Sequence, residues 1–537
     1  MMVAMTVSII CLLVYLRTLG CDFVNWDDQD FVINNPDIRD LSWHLLAWAF
    51  GSMPTDLWMP LTFVSYSIDY HFWGLNPRGY HLTNILFHAM SSGLVVLIAD
   101  KFCRGKFATA WSESSGKYLY PVMLLTAGLL FGVHPLRVES VAWVAERKDV
   151  LSIFFCLGSI LAYLHYVEKR DSGVKSAPYY LLSFMLFILA LLSKPISVVL
   201  PAMLLVIDWY PLERLRKGKM VAILLEKLPF FVLSAILSIG TVLIMTVLGS
   251  VRPIGEISFA QRFIIAGNGV FEYFRLMLWP VGILPLHIIP DPIPPSYTVK
   301  AIAAVVFSGF FIYAGRKRPW IVMTWLCFIL PLLPVLGLLQ NGLQAFAARF
   351  TYLPSVVVSI VAAVLLGELY GRIAQGKRAY IHGMFSIALL AVFIIYVFMT
   401  QRHIDIWKNS GNLWSRQIAF QPFDKAYFWR GLFYTDTEQY DAAIDDYTVC
   451  LALAARQRLP DIYNLYAFRG EAYAKSGRYE MAVRDFTVAI NDFPHPLFFY
   501  HRGMALKGLG KVQEAEEDFK RADGIKGQIL WLNRTQL

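Results

Sequence analysis

The chain contains eleven long apolar segments separated by polar loops, and this feature restricts its fold more than any other. Each segment has about the length that an α-helix needs to cross a bilayer. The composition agrees, because 57% of the residues are hydrophobic and 16% are charged, whereas about a quarter of a soluble domain is charged. The sequence therefore predicts an all-α, multi-pass membrane protein. The predicted spans are residues 3–19, 81–100, 119–135, 150–167, 178–194, 196–210, 228–249, 298–314, 320–339, 354–371 and 379–399.

The loops between these spans alternate in character, and this alternation predicts their sidedness. One set is short and basic, as in "GRKRP" at residues 315–319. The other set is longer or more acidic and comprises residues 20–80, 134–149 and 250–297. Since short cytoplasmic loops are enriched in Lys and Arg, the basic set is predicted to be cytoplasmic. The same pattern accounts for the formal net charge of +9, so nucleic acid is not an expected partner.

Two apolar segments decide the number of crossings. Counting residues 259–280 as a span would reverse the sidedness of every later loop, so this segment is predicted to be an outer-surface or re-entrant helix. The first apolar run lacks a basic leader and continues directly into "CDFVNWDD". It is therefore predicted to be retained as the first span rather than cleaved as a signal peptide.

Beyond residue 400 the chain is polar and contains an internal repeat. Arg-Gly recurs at 430–431, 469–470 and 502–503, with spacings of 39 and 33 residues that lie near the 34-residue tetratricopeptide period. Small residues and aromatic residues recur at fixed distances from each Gly, as expected for two closely packed helices with rings between them. Such a solenoid typically binds a peptide or protein. The predicted domains are a membrane domain at 1–400, a linker at 401–426 and a three-repeat α-solenoid at 427–537.

The stretch "FGVHPLRVESVAWVAERKDVLS", residues 131–152, is unusual because apolar runs flank a dense group of charges. One interpretation is a surface helix with Glu139, Glu146 and Lys148 exposed. The other is a charged insert that lines a site at the membrane surface. Lys194 favours the second interpretation, since it has an apolar span on each side, where a charge is costly without an anionic partner.

Carboxylates and cations thus share the predicted outer side, although each has a simpler explanation when taken singly. An acidic loop is usually just solvated, and a cation at a span end usually reaches the headgroups. Together, a carboxylate can act as a general base, and cations can hold a phosphate and stabilise its charge as it leaves. The residues in question are Asp27, Asp28, Asp30, Lys194, Arg252, Arg262, Arg275 and Arg349.

Several motifs occur in an order that is similar to one known family: "FVNWDD", "PLTFVSYSIDYHFWGLNPRGYHLTNILFHA", "FGVHPLRVESVAWVAERKDVLS", "LSKP" with "LLVID", and "ARFTYLPS", ahead of the repeats. The chain resembles the transmembrane and tetratricopeptide-repeat O-mannosyltransferases and their bacterial homologues, which are GT-C glycosyltransferases. The resemblance covers essentially the whole chain. It implies a GT-C fold and an inverting transfer of a sugar from a polyprenyl-phosphate-sugar to Ser and Thr hydroxyls of proteins. The expected sugar is mannose. It implies no metal and no cofactor.

The resemblance, together with a mechanism hypothesised from it, gives expected roles for individual residues. The family's acidic pair falls on Asp27 and Asp28, with Asp28 favoured as the general base. The donor phosphate is expected against Lys194 and Arg349. Further cations expected near the phosphate are Arg252, Arg262 and Arg275. Residues expected to position the sugar or the loops are His81, Asn84, His134, Glu139, Arg147 and Asp149. For His81 and Asn84, structural hydrogen bonding is an equal alternative.

Three positions depart from the family pattern. Met59 stands where an arginine is expected, Pro195 follows Lys194 where a glutamate is expected, and Ala348 replaces an acidic residue before Arg349. With only three repeats, these departures favour a bacterial homologue in the inner membrane with periplasmic repeats. In a eukaryote the corresponding location would be the endoplasmic reticulum membrane.

Other functions are compatible with the same sequence. The acceptor could be a lipid or a polysaccharide instead of a protein. A non-catalytic membrane scaffold that presents the repeats is a second alternative, although it needs neither the outer carboxylates nor the cations at span ends. A transporter would be expected to show duplicated spans, and the sequence shows none.

Overall fold

A computed structural model describes residues 1–52, 57–104, 119–215, 220–247, 257–338, 342–375, 379–457 and 462–525. The chain divides into two compact units. The first comprises Met1–Asp22 and Asn35–Trp407, and the second comprises Phe23–Asn34 and Lys408–Leu537. The predicted all-α class is confirmed, because the described residues contain a single two-stranded sheet and are otherwise helical or irregular.

The first unit is a helical assembly in which proline often marks the helix starts. Five of its helices begin with Pro, which is favoured at the first helical position because its missing N–H would have no partner there. The helices are α1 Met2–Tyr15, α2 Trp43–Gly51, α3 Pro60–Trp73, α4 Pro77–Cys103, α5 Leu119–Gly132, α6 Val138–Ala142, α7 Arg147–Asp171, α8 Ala177–Ser193, α9 Leu200–Trp209, α10 Met220–Val247, α11 Phe259–Leu278, α12 Pro295–Gly315, α13 Pro319–Ile329, α14 Pro354–Gln375 and α15 Ala379–Ile404. The strands are β1 His287–Ile288 and β2 Gln344–Phe346.

Several short helical turns link or extend these helices. They are Leu16–Gly20, Pro36–Ile38, Pro135–Arg137, Val144–Glu146, Pro195–Val199, Leu330–Val335, Ala348–Thr351 and Asp405–Trp407.

Within the described residues, which exclude 248–249 and 339, each predicted span consists largely of helical structure, and the protein is a multi-pass membrane protein. Seven helices among the described residues are long and apolar enough to cross a membrane. An eighth crossing is formed if α5 and the following Pro135–Ala142, bent by 47°, count as one broken span. Three further predicted spans are shorter apolar helices, at Ala177–Ser193, Pro195–Trp209 and Pro319–Val335. Helix α11, predicted to lie outside the set of spans, is not among the candidate crossings found in the described residues.

The charged stretch after α5 folds as a chain of short helical pieces instead of one surface helix. Helix α5 ends at Gly132, and His134 then accepts a hydrogen bond from the Leu136 N–H (3.2 Å), which opens the turn at Pro135. Residues 131–153 are all buried. The interpretation with Glu139, Glu146 and Lys148 exposed is therefore wrong, because these side chains retain only 3%, 1% and 5% exposure.

The second unit contains the predicted repeats. Its helices are α16 Ser410–Phe420, α17 Asp424–Asp436, α18 Tyr440–Gln457, α19 Tyr463–Lys475, α20 Tyr479–Asp492, α21 Pro496–Gly508 and α22 Val512–Ile525. The predicted contact of small residues with rings is present in each pair. A Cβ atom on Gly431 would come within 2.7 Å of the Tyr447 ring, and one on Gly503 would come within 2.7 Å of Phe519. Glycine is required at these positions because the aromatic ring occupies the space of a side chain.

A polar ladder also runs through the repeats. Arg430, Arg469 and Arg502 each make two hydrogen bonds to an aspartate 16 residues later in their own repeat, at 2.7–2.9 Å. Each arginine also donates to a hydroxyl of the preceding helix, and the acceptors are Ser415, Thr448 and Thr487. Helix α16 therefore occupies the place of the second helix of a preceding repeat.

Candidate functional site

The first unit's charged region includes Lys194, which directly follows α8. Its Nζ lies 2.6 Å from Asp149 Oδ1 and 3.3 Å from Glu146 Oε2. Asp149 lies in the first turn of α7, where the helix dipole favours a carboxylate. The anionic partners that the position of Lys194 requires are therefore present.

Glu146 is the shared acceptor of this cluster. Besides Lys194, it meets Lys148 Nζ at 3.3 Å and Arg349 Nε at 3.3 Å. The Glu139 carboxylate pairs with the guanidinium of the same arginine. It also accepts a hydrogen bond from the Arg349 backbone N–H, at 3.1 Å. We call Glu139, Glu146, Asp149, Lys148, Lys194 and Arg349 the charged core.

The position of Arg349 depends on the small sheet that precedes it. Strands β1 and β2 pair antiparallel, with His287 opposite Phe346 and their rings stacked at 4.0 Å. Arg349 follows in the turn Ala348–Thr351 and donates to Gln344 Oε1 at 2.7 Å. Burial lowers the pKa of Arg349, but the Glu139 and Glu146 carboxylates outweigh burial and raise it above the ordinary arginine value.

The charged core is buried and has an aromatic side chain on one side. All six side chains are less than 9% exposed. The Trp143 ring lies 5.4 Å from Lys148 Nζ and 5.6 Å from the Arg349 guanidinium carbon, and it stacks on Trp407 at 5.2 Å. Since the six groups carry equal numbers of opposite charges, burial is compensated within the cluster.

Arg147 and Asn84, both predicted positioning residues, fasten the charged stretch to α4. Arg147 donates to Asp69 Oδ2 at 2.6 Å and to the Tyr80 carbonyl at 2.8 Å, and also binds Asn84 Oδ1. Asn84 Nδ2 in turn donates to the carbonyls of Val141 and Trp143, at 3.3 and 3.2 Å. Through these hydrogen bonds, Arg147 and Asn84 have a structural role, because they attach the charged stretch to α3 and α4.

His81 and His134 are both buried. His134 Nε2 lies 3.2 Å from the Met277 carbonyl, and its ring lies 4.7 Å from Tyr396. His134 therefore joins the break after α5 to α11 and α15. His81 lies fully buried on α4, one helical turn before Asn84.

The remaining predicted phosphate-binding arginines have partners around α11. Arg262 is buried and donates to the carbonyls of Ile257 and Leu338, at 3.1 and 3.3 Å. Arg275 binds Glu272 at 2.6 Å and the Val281 carbonyl at 3.2 Å. Burial raises the pKa of Glu272, but hydrogen bonds from Lys300 and Arg275 lower it by more. Arg252 lies outside the described residues.

The acidic pair after the first span belongs to the second unit. Asp28 is buried, and its Oδ2 accepts the Val24 N–H at 2.9 Å. Asp27 is half-buried. The neighbouring Asn25 and Trp26 contact α16 and α17.

A second buried ionic cluster was not foreseen from the sequence. Lys227 and Arg214 both pair with Asp208 and Glu226, at 2.6–3.1 Å, and the Tyr163 hydroxyl lies among the four groups. Tyr163 follows Asp149 by fourteen residues on α7, which corresponds to about 21 Å along the helix. An acidic residue inside the apolar run "LLVIDW" was the available signal.

Comparisons with known proteins agree with this architecture. The tetratricopeptide-repeat family model matches residues 424–457 and 498–528. Protein O-mannosyl-transferase TMTC4 of Homo sapiens is 26% identical over 498 residues, which cover 82% of this chain and 64% of that protein. TMTC4 of Mus musculus is 24% identical over 82% of this chain and 65% of that protein.

Over most of its length, this chain is thus similar in sequence to proteins named protein O-mannosyl-transferase. Protein O-mannosyl-transferase Tmtc1 of Drosophila melanogaster is 31% identical over a shorter stretch, 36% of this chain and 21% of that protein. The chain spans just under two thirds of the length of the human and mouse proteins. No solved structure matches it.

The departures from the O-mannosyltransferase pattern lie beside the groups described above. Pro195 begins the turn directly after Lys194. Ala348 is fully buried next to Arg349. Met59, 1% exposed, precedes α3, the helix that carries Asp69. These three positions therefore lie in sequence next to, or shortly before, elements that carry or contact the charged core.

Proposed function

We propose that this protein transfers a sugar, most simply mannose, from a polyprenyl-phosphate donor to Ser or Thr hydroxyls of proteins. The observation that carries the proposal is the charged core, which gathers Lys194 and Arg349 in a membrane unit whose homologues are named protein O-mannosyl-transferases. A membrane scaffold has no need for six buried charges, because each buried ion has a desolvation penalty of several kcal/mol.

The cations of the charged core are suited to the donor phosphate. A lysine ammonium has three N–H donors, and within the described chain Lys194 directs two hydrogen bonds to Glu146 and Asp149. One donor is left for a phosphate oxygen. Arg349 adds a permanent charge beside it. As the bond between the anomeric carbon and the phosphate oxygen breaks, these cations would stabilise the charge on the departing polyprenyl phosphate.

The acidic pair supplies the base in this proposal. The Asp27 or Asp28 carboxylate takes the proton of the acceptor hydroxyl. The hydroxyl oxygen forms a bond to the anomeric carbon, and the electron pair of the broken bond leaves with the phosphate. Attack opposite the leaving group inverts the anomeric configuration. The repeats recruit the acceptor protein, and transfer takes place on the periplasmic or lumenal side.

The test uses purified protein in liposomes with radiolabelled polyprenyl-phosphate mannose and a mixed pool of periplasmic or lumenal proteins. Label should reach protein with the wild type. It should be lost with Lys194→Met and with Asp27→Asn or Asp28→Asn. Lys227→Met is the matched control, because this lysine is equally buried and equally ion-paired, in the second cluster.

Each alternative has its own outcome in this assay. Label in glycolipid or free glycan would move the acceptor from protein to lipid or polysaccharide. Absence of turnover with mannose and with other polyprenyl-phosphate sugars, by protein that remains folded, would overturn the enzyme and favour the scaffold.

A further inference from the structure

The acidic segment after the first span is bound by the repeat unit through Asn25. The Asn25 backbone N–H donates to Ser410 Oγ at 2.8 Å. Its side-chain Nδ2 donates to the Trp429 carbonyl at 2.7 Å, and its Oδ1 accepts from Trp414 Nε1 at 2.7 Å. One residue therefore uses a backbone donor, a side-chain donor and a side-chain acceptor on α16 and α17.

An aromatic contact strengthens this attachment. Trp414 and Trp429 stack with their ring centroids 4.4 Å apart. The Trp26 ring packs against both, at 5.4 Å from Trp414 and 6.3 Å from Trp429. Three tryptophans bury a large area and hold a narrow range of geometries, so the backbone at Asn25 and Trp26 is fixed relative to the first repeat.

Asp27 and Asp28 follow this anchor directly in the chain. Asp28 is held further by its hydrogen bond to the Val24 N–H, which closes the segment around Asn25 and Trp26. The backbone that carries both carboxylates is thus attached to α16 and α17 through Asn25 and Trp26. A general base works only within hydrogen-bonding reach of its proton, and a displacement of about 1 Å can lower a rate about a hundredfold.

We propose that α16 and α17 are a platform that positions the acidic pair, with Asn25 and the Trp414 indole N–H as the positioning groups. The repeats would then have two tasks, recruitment of the acceptor and support of the base. This inference rests on the proposed role of Asp27 and Asp28. Its structural part can be measured independently of any activity.

The structural test is amide hydrogen exchange on the full-length protein in detergent. In Ser410→Ala the acceptor of the Asn25 N–H is lost, and in Trp414→Phe a smaller aromatic ring remains while the indole N–H is lost. Exchange at residues 24–28 should accelerate about tenfold or more in both variants. The matched control is Thr448→Val, which removes one hydrogen bond of the repeats, from Arg469 at 3.1 Å, and lies on α18, outside the proposed platform. Unchanged protection in Ser410→Ala and Trp414→Phe would overturn the platform.

The kinetic test separates positioning from general stability. Asn25→Ala and Trp414→Phe should lower kcat about tenfold to a hundredfold and leave the donor KM within about twofold, whereas Thr448→Val should leave kcat per folded molecule unchanged. Asp27→Glu and Asp28→Glu displace the carboxylate by themselves. When Asn25→Ala is added to either variant, it should lower kcat by a much smaller factor than it does in the wild type, as expected for groups that act as one unit. Full additivity, or an unchanged kcat in the single variants, would overturn the positioning role.

Failure of the proposed function is recognised separately. If Asp27→Asn and Asp28→Asn both retain full transfer, the base is assigned wrongly, and the positioning role falls with it. The exchange data would still report whether the anchor exists.

Discussion

Lys194 Nζ lies 2.6 Å from Asp149 Oδ1, although the two residues are 45 positions apart in the chain. The contact joins the end of α8 to the first turn of α7. Both groups are buried, so neither can be compensated by water if the other is removed. This dependence makes the charged core accessible to mutational tests of stability as well as activity.

Removing the lysine charge should destabilise the protein strongly. Lys194→Met removes the lysine partner of Asp149 and one of the three cations that meet Glu146, in a buried site, and breaking a buried ion pair by removing one partner costs about 3–5 kcal/mol. Thermal unfolding in detergent should show a clear fall in midpoint. The double variant Lys194→Met, Asp149→Leu removes both charges of the shortest pair and should recover part of the loss. A midpoint equal to the wild type in Lys194→Met would contradict the buried pairing.

Among the carboxylates of the charged core, Glu146 should contribute most to the stability of the protein. It meets Lys148, Lys194 and Arg349 at 3.3 Å each, whereas Glu139 pairs with Arg349. Glu146→Gln should therefore lower the unfolding midpoint more than Glu139→Gln does. The two variants are matched in chemistry and burial, so differential scanning fluorimetry on both gives the comparison directly. A larger fall in midpoint for Glu139→Gln would show that Glu146 is not the main shared acceptor of the charged core.

The second ionic cluster should affect stability without affecting the chemistry. Asp208→Asn weakens pairs with Arg214 and Lys227, and about 3 kcal/mol or more of stability should be lost. Because Tyr163 of this cluster lies about 21 Å along α7 from Asp149, transfer per folded molecule should stay within about twofold of the wild type. The measurement is a thermal midpoint together with kcat normalised to folded protein. A large loss of kcat in a stable, folded variant would link this cluster to the reaction.

The apolar pattern was sufficient to predict most of the fold. Within the described residues each predicted span consists largely of helix, because long apolar segments leave the backbone no alternative to internal hydrogen bonding in a membrane. The repeat packing was equally predictable, since the glycine at 431 and the ring of Tyr447 occupy fixed positions in one short motif. The requirement of Lys194 for an anion followed from the cost of an isolated charge between apolar segments.

Other features depend on contacts that the sequence does not encode locally. That Glu146, predicted as exposed under one interpretation, is the shared acceptor follows only when α7, α8 and the Arg349 turn come together. Asp69 was missed as the partner of Arg147, 78 positions away. The attachment of Asn25 to Trp429 spans 404 positions, and no periodicity connects them.

The arginine ladder of the repeats provides the last prediction. Arg469 makes two hydrogen bonds to Asp485 and one to Thr448 of the preceding repeat. Arg469→Ala removes all three and leaves a nearly buried carboxylate, so we expect a loss of about 2–3 kcal/mol, in the range for hydrogen bonds to charged groups and for the penalty of an unsatisfied buried acceptor. Thr448→Val removes only the inter-repeat hydrogen bond and should cost about 1 kcal/mol or less.

The ladder is tested by hydrogen exchange on the intact protein, read out at α19 and α20. Arg469→Ala should expose the amides of both helices to faster exchange, while amides of the charged core keep their protection. Arg469→Lys is the matched variant that keeps the charge but loses the two-pronged geometry, and its effect should fall between those of Arg469→Ala and the wild type. If Arg469→Lys equals the wild type, charge alone is sufficient and the paired geometry contributes nothing. If Thr448→Val is as damaging as Arg469→Ala, the main role of the ladder is to connect repeats, and not to hold each repeat together.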